Sequence, residues 1–362
     1  MVVVGPAGTG KTTALRPAVA ELAAQGRAVF AVAPTATAAA VLARETGMRA
    51  DTIDKLLVEY RRQSGPSAGF RLGRGATVVV DEAAMVATPT LAELAGLADI
   101  HGWRMVLVGD PLQYLPVGRG GMFDWLVEHG PALELDRAHR FDQPWERDAS
   151  LELRQGRIDA LEMYERHGRL HRGEPGELDF DVLDHWWALR GQGGSVAILA
   201  ASNDTVFRLN ELAQQHRIDA FELDCDGPHL WTASGYRLLV GDEIASRQND
   251  RLLRTDRGEM VRNRDQWTIT NVEPVGAITA TGPTGTVRLP CDYVASHVEL
   301  AYAQTGHAAQ GRTVDHCLLV VDSNIDNRGV YVPMTRGPSR TTPMSRSTRT
   351  TPARRERCWR RR

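Results

Sequence analysis

Val2-Val3-Val4-Gly5-Pro6-Ala7-Gly8-Thr9-Gly10-Lys11-Thr12-Thr13 opens the chain and decides how the rest is read. Three β-branched apolar residues predict a short buried strand. Gly5–Thr12 then fits GxxxxGK[ST], and the Ala/Leu-rich run from Lys11 to Gln25 predicts a helix. Glycines at such a strand-to-helix turn let successive backbone N–H groups close around phosphates at the helix N-terminus. Gly5, Pro6, Ala7, Gly8, Thr9, Gly10, Lys11, Thr12 and Thr13 are therefore the expected nucleotide-binding residues. Lys11 would neutralise the β- and γ-phosphates, and the Thr12 hydroxyl would ligate Mg²⁺. Lys11 stands out further because only it and Lys55 are lysines among 43 basic residues. Taken alone, the loop says only that a nucleoside triphosphate binds.

The residues that follow extend the pattern. Val29–Ala33, Thr77–Val80 and Met105–Val108 predict further buried strands, with a helix over about 36–44. Strands that alternate with helices predict a parallel sheet covered on both faces, with ligands at the carboxyl ends of its strands. Asp81-Glu82 follows one strand end. Asp81 there would hold Mg²⁺, and Glu82 would accept a proton from, or orient, the attacking water. A carboxylate at the second position favours ATP hydrolysis over GTPase chemistry. Gly109-Asp110-Pro111-Leu112-Gln113 follows the next strand. Gln113 is long enough to reach both a phosphate oxygen and the water, although Asp110-Pro111 alone also fits an ordinary turn.

Further along, the pattern predicts two motor-like units. Residues 1–143 form the first, and 144–190 read as a helical connector. Val196–Ala200 and a helix over Asp204–His216 begin a second α/β unit, spanning 191–235 and 301–337. Between them, residues 236–300 carry short β-rich runs separated by Gly, Asp and Pro, which predicts an inserted small antiparallel barrel, SH3-like in size. The Gly/Arg/Ser-rich stretch 57–76 reads as a mobile excursion, a candidate hairpin and strand-separating wedge. Residues 338–362 read as a disordered basic tail, with ten arginines against one glutamate from Arg336 to the end.

Composition bounds the answer. The 362 residues are 42% apolar and 24% charged, with a net charge of −2, as in a globular protein of more than one domain. No stretch is long and apolar enough for a membrane span, and the start lacks the pattern of a signal peptide, so a cytoplasmic protein without membrane partners is expected. The cysteines Cys225, Cys291, Cys317 and Cys358 are scattered, form no CxxC pair and read as small buried hydrophobes rather than metal ligands. Trp186, Trp187 and Trp267 could stack on bases, but core packing is the preferred reading.

"GPAGTGKTT", "APTATAA", "VVVDEAAM", "VGDPLQYLPVGRGG", "HRF", "TGHAAQGRT" and "YVPMTRG" occur in this order. The series resembles the motifs of superfamily 1 DNA helicases, specifically the RecD-like branch and the helicase part of TraI/TrwC-type (MobF) conjugative relaxases. The resemblance covers about residues 1–337. It implies two RecA-like domains that use ATP and Mg²⁺ to move 5′ to 3′ along single-stranded DNA, with conjugation or DNA-repair proteins as partners. It also implies residue roles. Pro34, Thr35, Ala38 and Thr52 match segments that touch the DNA backbone, and Asn203, His307, Gln310 and Thr313 match further DNA-side positions, with Gly311 beside the nucleotide. Asn203 fits a helix N-cap equally well. Arg140 and Arg336 match the two arginines that reach the γ-phosphate, which would make hydrolysis depend on closure of the cleft.

The chain departs from the pattern in places. It begins on the phosphate-loop strand, without the upstream glutamine that reads adenine in the family. Ala308 stands where many relatives carry a basic residue, and no packed strand is expected after the arginine of "MTRG". No metal-binding histidine cluster or tyrosine nucleophile of a relaxase precedes the motor. These departures keep open a second reading, a DNA-stimulated ATPase or DNA-binding fragment that does not unwind.

Overall fold

The computed structural model describes residues 1–116, 118–135, 141–310, 314–321, 325–337 and 340–346. The first unit runs β1 Val2–Val4, α1 Lys11–Ala24, β2 Val29–Ala33, α2 Ala36–Thr46, β3 Arg49–Thr52 and α3 Ile53–Arg61. It continues with β4 Thr77–Val80, α4 Thr88–His101, β5 Arg104–Gly109, α5 Met122–His129 and β6 Ala132–Glu134. Its six strands are all parallel, in the order β3-β2-β4-β5-β1-β6. The central strands are buried on both faces, which is why Thr77–Val80 and Val29–Ala33 read as unbroken apolar runs rather than alternating ones. The order places the ends of β1, β4 and β5 side by side, so the loops that follow them converge.

The stretch 57–76 is not the excursion or hairpin expected. α3 occupies its start, and the rest is fastened to the first unit. Tyr60 Oη donates to Phe70 O at 2.8 Å and accepts from Leu72 N at 3.1 Å, while Trp103 Nε1 donates to Leu72 O. Phe70 and Leu72 pack against the core. Buried Glu59 accepts from Lys55 Nζ (2.6 Å), Arg62 Nη1 (2.9 Å) and Ser67 N (2.9 Å). The bonds from Lys55 and then Ser67 hold its carboxyl down to about 2.

The second unit begins with α6 Pro144–Arg154, α7 Leu161–Arg166, β7 His171–Gly173, α8 Pro175–Arg190, β8 Val196–Ala200 and α9 Asn203–Asp219. An insertion follows: β9 His229–Trp231, β10 Arg237–Leu239, β11 Glu243–Ser246, β12 Asp250–Arg254 and β13 Met260–Val261. It closes with β14 Gln266–Val272, β15 Ile278–Gly282, β16 Gly285–Leu289, α10 Cys291–His297 and β17 Val298–Leu300. The chain then returns through β18 Ala303–Thr305, β19 His316–Val321, α11 Asn327–Met334 and β20 Arg340–Arg346. The second sheet is again all parallel, in the order β18-β8-β19-β20-β7. In the insertion, five antiparallel strands pair as β16-β15-β14-β11-β17, flanked by two short ladders, β9–β10 and β12–β13. The five-strand order is open, with β16 and β17 at its edges.

Three boundaries change. The insertion begins at β9 His229–Trp231, ahead of the expected residue 236. Residues 340–346, assigned from sequence to a disordered tail, form β20 between β19 and β7, with Met344 fully buried. Low apolar content and Pro343 hid this strand, because proline cannot donate to a central ladder. Neighbours on both sides and the burial of Met344 hold it in place. The connector contributes β7 to the same sheet, so it is not purely helical. Residues 347–362 lie outside the described residues. Trp186 and Trp267 are core residues, as preferred from sequence, and Trp187 packs against that core. Among the described cysteines only Cys317 is buried, and Cys358 lies outside the described residues. Cys225 is half-buried and Cys291 exposed, so the reading of all four as buried hydrophobes does not hold.

Candidate nucleotide site and interdomain interface

The phosphate loop takes the shape its glycines allow. Gly8 and Gly10 sit at φ of 78° and 75°, in the left-handed region open to glycine, and Gly10 caps α1. A Cβ on Gly5 would stand 2.5 Å from Thr9 Oγ1, so only glycine fits there. Lys11 folds back on its own loop, its Nζ donating to Gly5 O at 2.8 Å and Pro6 O at 3.1 Å. Those bonds satisfy the ammonium in place of phosphate oxygens.

A cavity of about 350 Å³ opens in front of the loop. Ala7, Gly8, Gly10, Lys11, Thr12 and Thr13 line it from the loop, Asp81 and Glu82 from the end of β4, and Gln113 from beyond β5. The remaining wall is Glu45 from α2 and Arg336 from the second unit. Sequence reasoning named all of these except Glu45, whose position at the end of a helix carries no motif. Burial, then the charge of Glu82, pushes the Asp81 carboxyl up to about 7, against the pull of Lys11. Glu82 is held at φ 51°, a left-handed conformation that costs a non-glycine residue about 1 kcal/mol. Gln113 is buried with Oε1 lacking a partner, and its Nε2 lies 3.5 Å from Asp110 Oδ2.

The cavity is closed by contacts between the two units. Tyr331 on α11 accepts from Ala7 N–H at 3.1 Å and donates to Asp110 Oδ2 at 3.2 Å. Asp110, fully buried, is gripped from α6 by Arg154, whose Nη2 lies 2.8 Å and Nε 3.1 Å from Oδ1. Ala7, Tyr114, Tyr331 and Val332 form one buried cluster across the interface. Tyr114 stacks on His307 with ring centroids 3.7 Å apart. Gly306 must be glycine, since a Cβ there would fall 2.0 Å from Tyr114 Oη. Just past α11, which contains Pro333, the chain turns so that Arg336 N donates to Pro333 O at 2.9 Å. Arg336 is buried and its Nε donates to Val332 O at 3.2 Å. Tyr331, Arg154 and Tyr114 were missed from sequence, although "YVPMTRG" and "LQYLP" contain the two tyrosines.

The DNA-side residues are more dispersed. Exposed Thr35 and half-buried Thr52 are helix N-caps, accepting from Ala38 N at 3.1 Å and Lys55 N at 3.2 Å. Each such cap contributes about 1 kcal/mol. Pro34 and Ala38 flank the first cap and are half-buried. The N-cap of α9 is Ser202, whose Oγ accepts from Thr205 N, so Asn203 is an exposed first-turn residue and not the cap. His307 is occupied by Tyr114, and neither side-chain polar atom of Gln310 has a partner among the described residues. A groove of about 800 Å³ runs beside Thr37, Arg44, Asp51 and Arg257, between α2 and the insertion. It is bridged by Arg251–Asp51 at 2.7 Å and by Thr37 Oγ1 donating to Asn263 O at 3.1 Å. Thr52 and Lys55 line a smaller pocket beside it. Arg140, Gly311 and Thr313 lie outside the described residues.

A family model described as an AAA domain matches residues 1–175. The conjugal transfer protein TraA of Rhizobium radiobacter is 30% identical over 342 residues, covering 92% of this chain and 30% of that protein. The RecBCD enzyme subunit RecD of Mycolicibacterium smegmatis is 29% identical, over 94% of this chain and 67% of its own length. Over more than nine tenths of its length the chain is thus similar to TraA conjugal transfer proteins and to a RecD subunit. It spans about 30% of the length of the TraA proteins it matches. Among solved structures, Pif1 helicase from Candida albicans covers 95% of the chain with a TM-score of 0.62 at 16% identity. Bacteroides Pif1 bound to single-stranded DNA covers 97% with a TM-score of 0.59 at 19% identity. At these identities the likeness is one of fold, and it spans both parallel sheets. No helix among the described residues is long and apolar enough to cross a membrane.

Proposed function

We propose that the chain is the motor part of an ATP-dependent DNA helicase that moves 5′ to 3′ along single-stranded DNA. The observation that carries this reading is the shared cavity. A phosphate loop, a strand-end Asp-Glu pair, Gln113 and an arginine from the second unit all face one space. Lys11 would exchange its two carbonyl partners for phosphate oxygens. Mg²⁺ fits the donor set, because the Thr12 hydroxyl and the Asp81 carboxyl line the same cavity. When bound, the ion would neutralise charge on the β- and γ-phosphates. Glu82 would orient the attacking water and take its proton, Gln113 would bridge water and phosphate, and Arg336 would stabilise charge as the cleft closes. Arg140 would be the second arginine.

Single-stranded DNA would cross the Thr35 and Thr52 helix N-termini, with Pro34 and Ala38 beside them, and continue past Asn203, His307, Gln310 and Thr313, with Gly311 beside the nucleotide. The groove under the insertion, an SH3-like barrel in this reading, supports that path. The names of the TraA and RecD relatives favour conjugation or DNA repair as the setting, in the cytoplasm where DNA and ATP meet. The test is unwinding of a 5′-tailed duplex beside a 3′-tailed one, with ATP and Mg²⁺. Unwinding of the 5′-tailed substrate alone is expected. Hydrolysis stimulated by DNA without unwinding of either would replace this reading with that of a DNA-stimulated ATPase.

A further inference from the structure

Nucleotide binding alone does not account for the contacts around Asp110. Ala7 belongs to the phosphate loop, Arg154 to α6 and Tyr331 to α11, yet all three meet that buried carboxylate or its immediate partner. Resting on the ATPase reading above, we infer that Tyr331 is a positioning residue for hydrolysis. Its phenol locks α11 to the phosphate loop, and so fixes where Arg336 stands against the nucleotide.

The geometry supports this in three steps. First, the phenol oxygen uses both of its roles, accepting from Ala7 N–H at 3.1 Å and donating to Asp110 Oδ2 at 3.2 Å. Second, the acceptor is itself immobile. Asp110 is fully buried, held by Arg154 Nη2 at 2.8 Å and by Leu112 N at 3.1 Å. Third, Arg336 is tied to the residues next to Tyr331. Its Nε donates to Val332 O and its N–H to Pro333 O, and the side chain is buried. A shift of the phenol is therefore carried through Val332 and Pro333 to the guanidinium. Misplacing a charge-stabilising group by about 1 Å can cost roughly 100-fold in rate. The apolar contacts of the ring with Ala7, Tyr114 and Val332 are kept by phenylalanine, so the hydroxyl can be removed alone.

The experiment is a double-mutant cycle on steady-state ATP hydrolysis by the full chain with single-stranded DNA. Tyr331→Phe should lower kcat about tenfold or more. KM for ATP and the affinity for a fluorescent ADP analogue should stay within about threefold, because the hydroxyl acts through Arg336 rather than on the nucleotide. In an Arg336→Ala background the same change should lower kcat less than about twofold, since the group it positions is gone. A Tyr331→Phe kcat equal to that of the unmodified chain would overturn the inference. So would an equal loss in both backgrounds, which marks a structural role only. An unmodified chain without hydrolysis is a different failure, that of the motor reading itself.

Discussion

The two parallel sheets share an architecture and divide the chemistry unequally. In the first, the loops after β1, β4 and β5 carry the phosphate loop, Asp81-Glu82 and Asp110–Gln113. In the second, the loop after β8 holds only the Ser202 cap of α9, with no glycine-rich phosphate cradle. Its contribution reaches across from α11, as Tyr331 and Arg336. One sheet therefore supplies most of the cavity wall, and the other closes it with Arg336. In the motor proposed above, such a division would make hydrolysis a property of the interface, so that it could move one unit against the other.

Removing the second sheet's contribution should have the largest effect. Arg336→Ala is expected to lower kcat about 10³-fold with ATP affinity little changed, checked by single-turnover hydrolysis. A loss below about threefold would mean that the first sheet acts alone. Next in size is the interface itself. Asp110→Ala leaves the mostly buried Arg154 without its partner and should destabilise the chain by about 3 kcal/mol in denaturant unfolding. An unchanged midpoint would show the two units to be energetically independent there.

Asp81 sharpens the contrast from the other side. Its pKa is raised in the fold, so the fold is favoured when the carboxyl is protonated, and stability falls as pH rises from its ordinary 3.8 through about 7. Without nucleotide or Mg²⁺, Asp81→Asn should therefore stabilise the chain at pH 8 by about 1 kcal/mol, an effect that disappears by pH 4. Thermal melts at the two pH values read this, and destabilisation at pH 8 would contradict it. The smallest effect is expected at the insertion. Arg251→Ala breaks an exposed ion pair with Asp51 and should change stability by about 0.5 kcal/mol or less, vanishing at high salt.

The same inequality decided what could be read from the sequence. In the first unit, the candidate site residues sit in contiguous runs: Gly5–Thr12 after one strand, Asp81-Glu82 after another, Gln113 after a third. Each strand is apolar enough to announce itself, and Val29–Ala33 and Thr77–Val80 emerge with the expected bounds. The second sheet is assembled from distant pieces. β7 comes from a stretch that reads as helix, and β20 contains a proline and a single large apolar residue, Met344. Neither is legible locally, because pairing with neighbours rather than side-chain pattern stabilises them. Tyr331 and Arg154 escaped for a related reason. Their meaning lies in a buried carboxylate far away in sequence, and no spacing within the chain encodes that meeting. Thr35 and Thr52 were legible as special positions, and the structure gives each a capping role that is compatible with the DNA contact proposed for it.

The most direct test of the central claim is ATP hydrolysis with and without single-stranded DNA, run beside Lys11→Ala. The account predicts strong stimulation by DNA in the unmodified chain and its loss in the variant, with both proteins melting at similar temperatures. A folded chain that hydrolyses no ATP in either condition, or hydrolysis that survives Lys11→Ala, would contradict it.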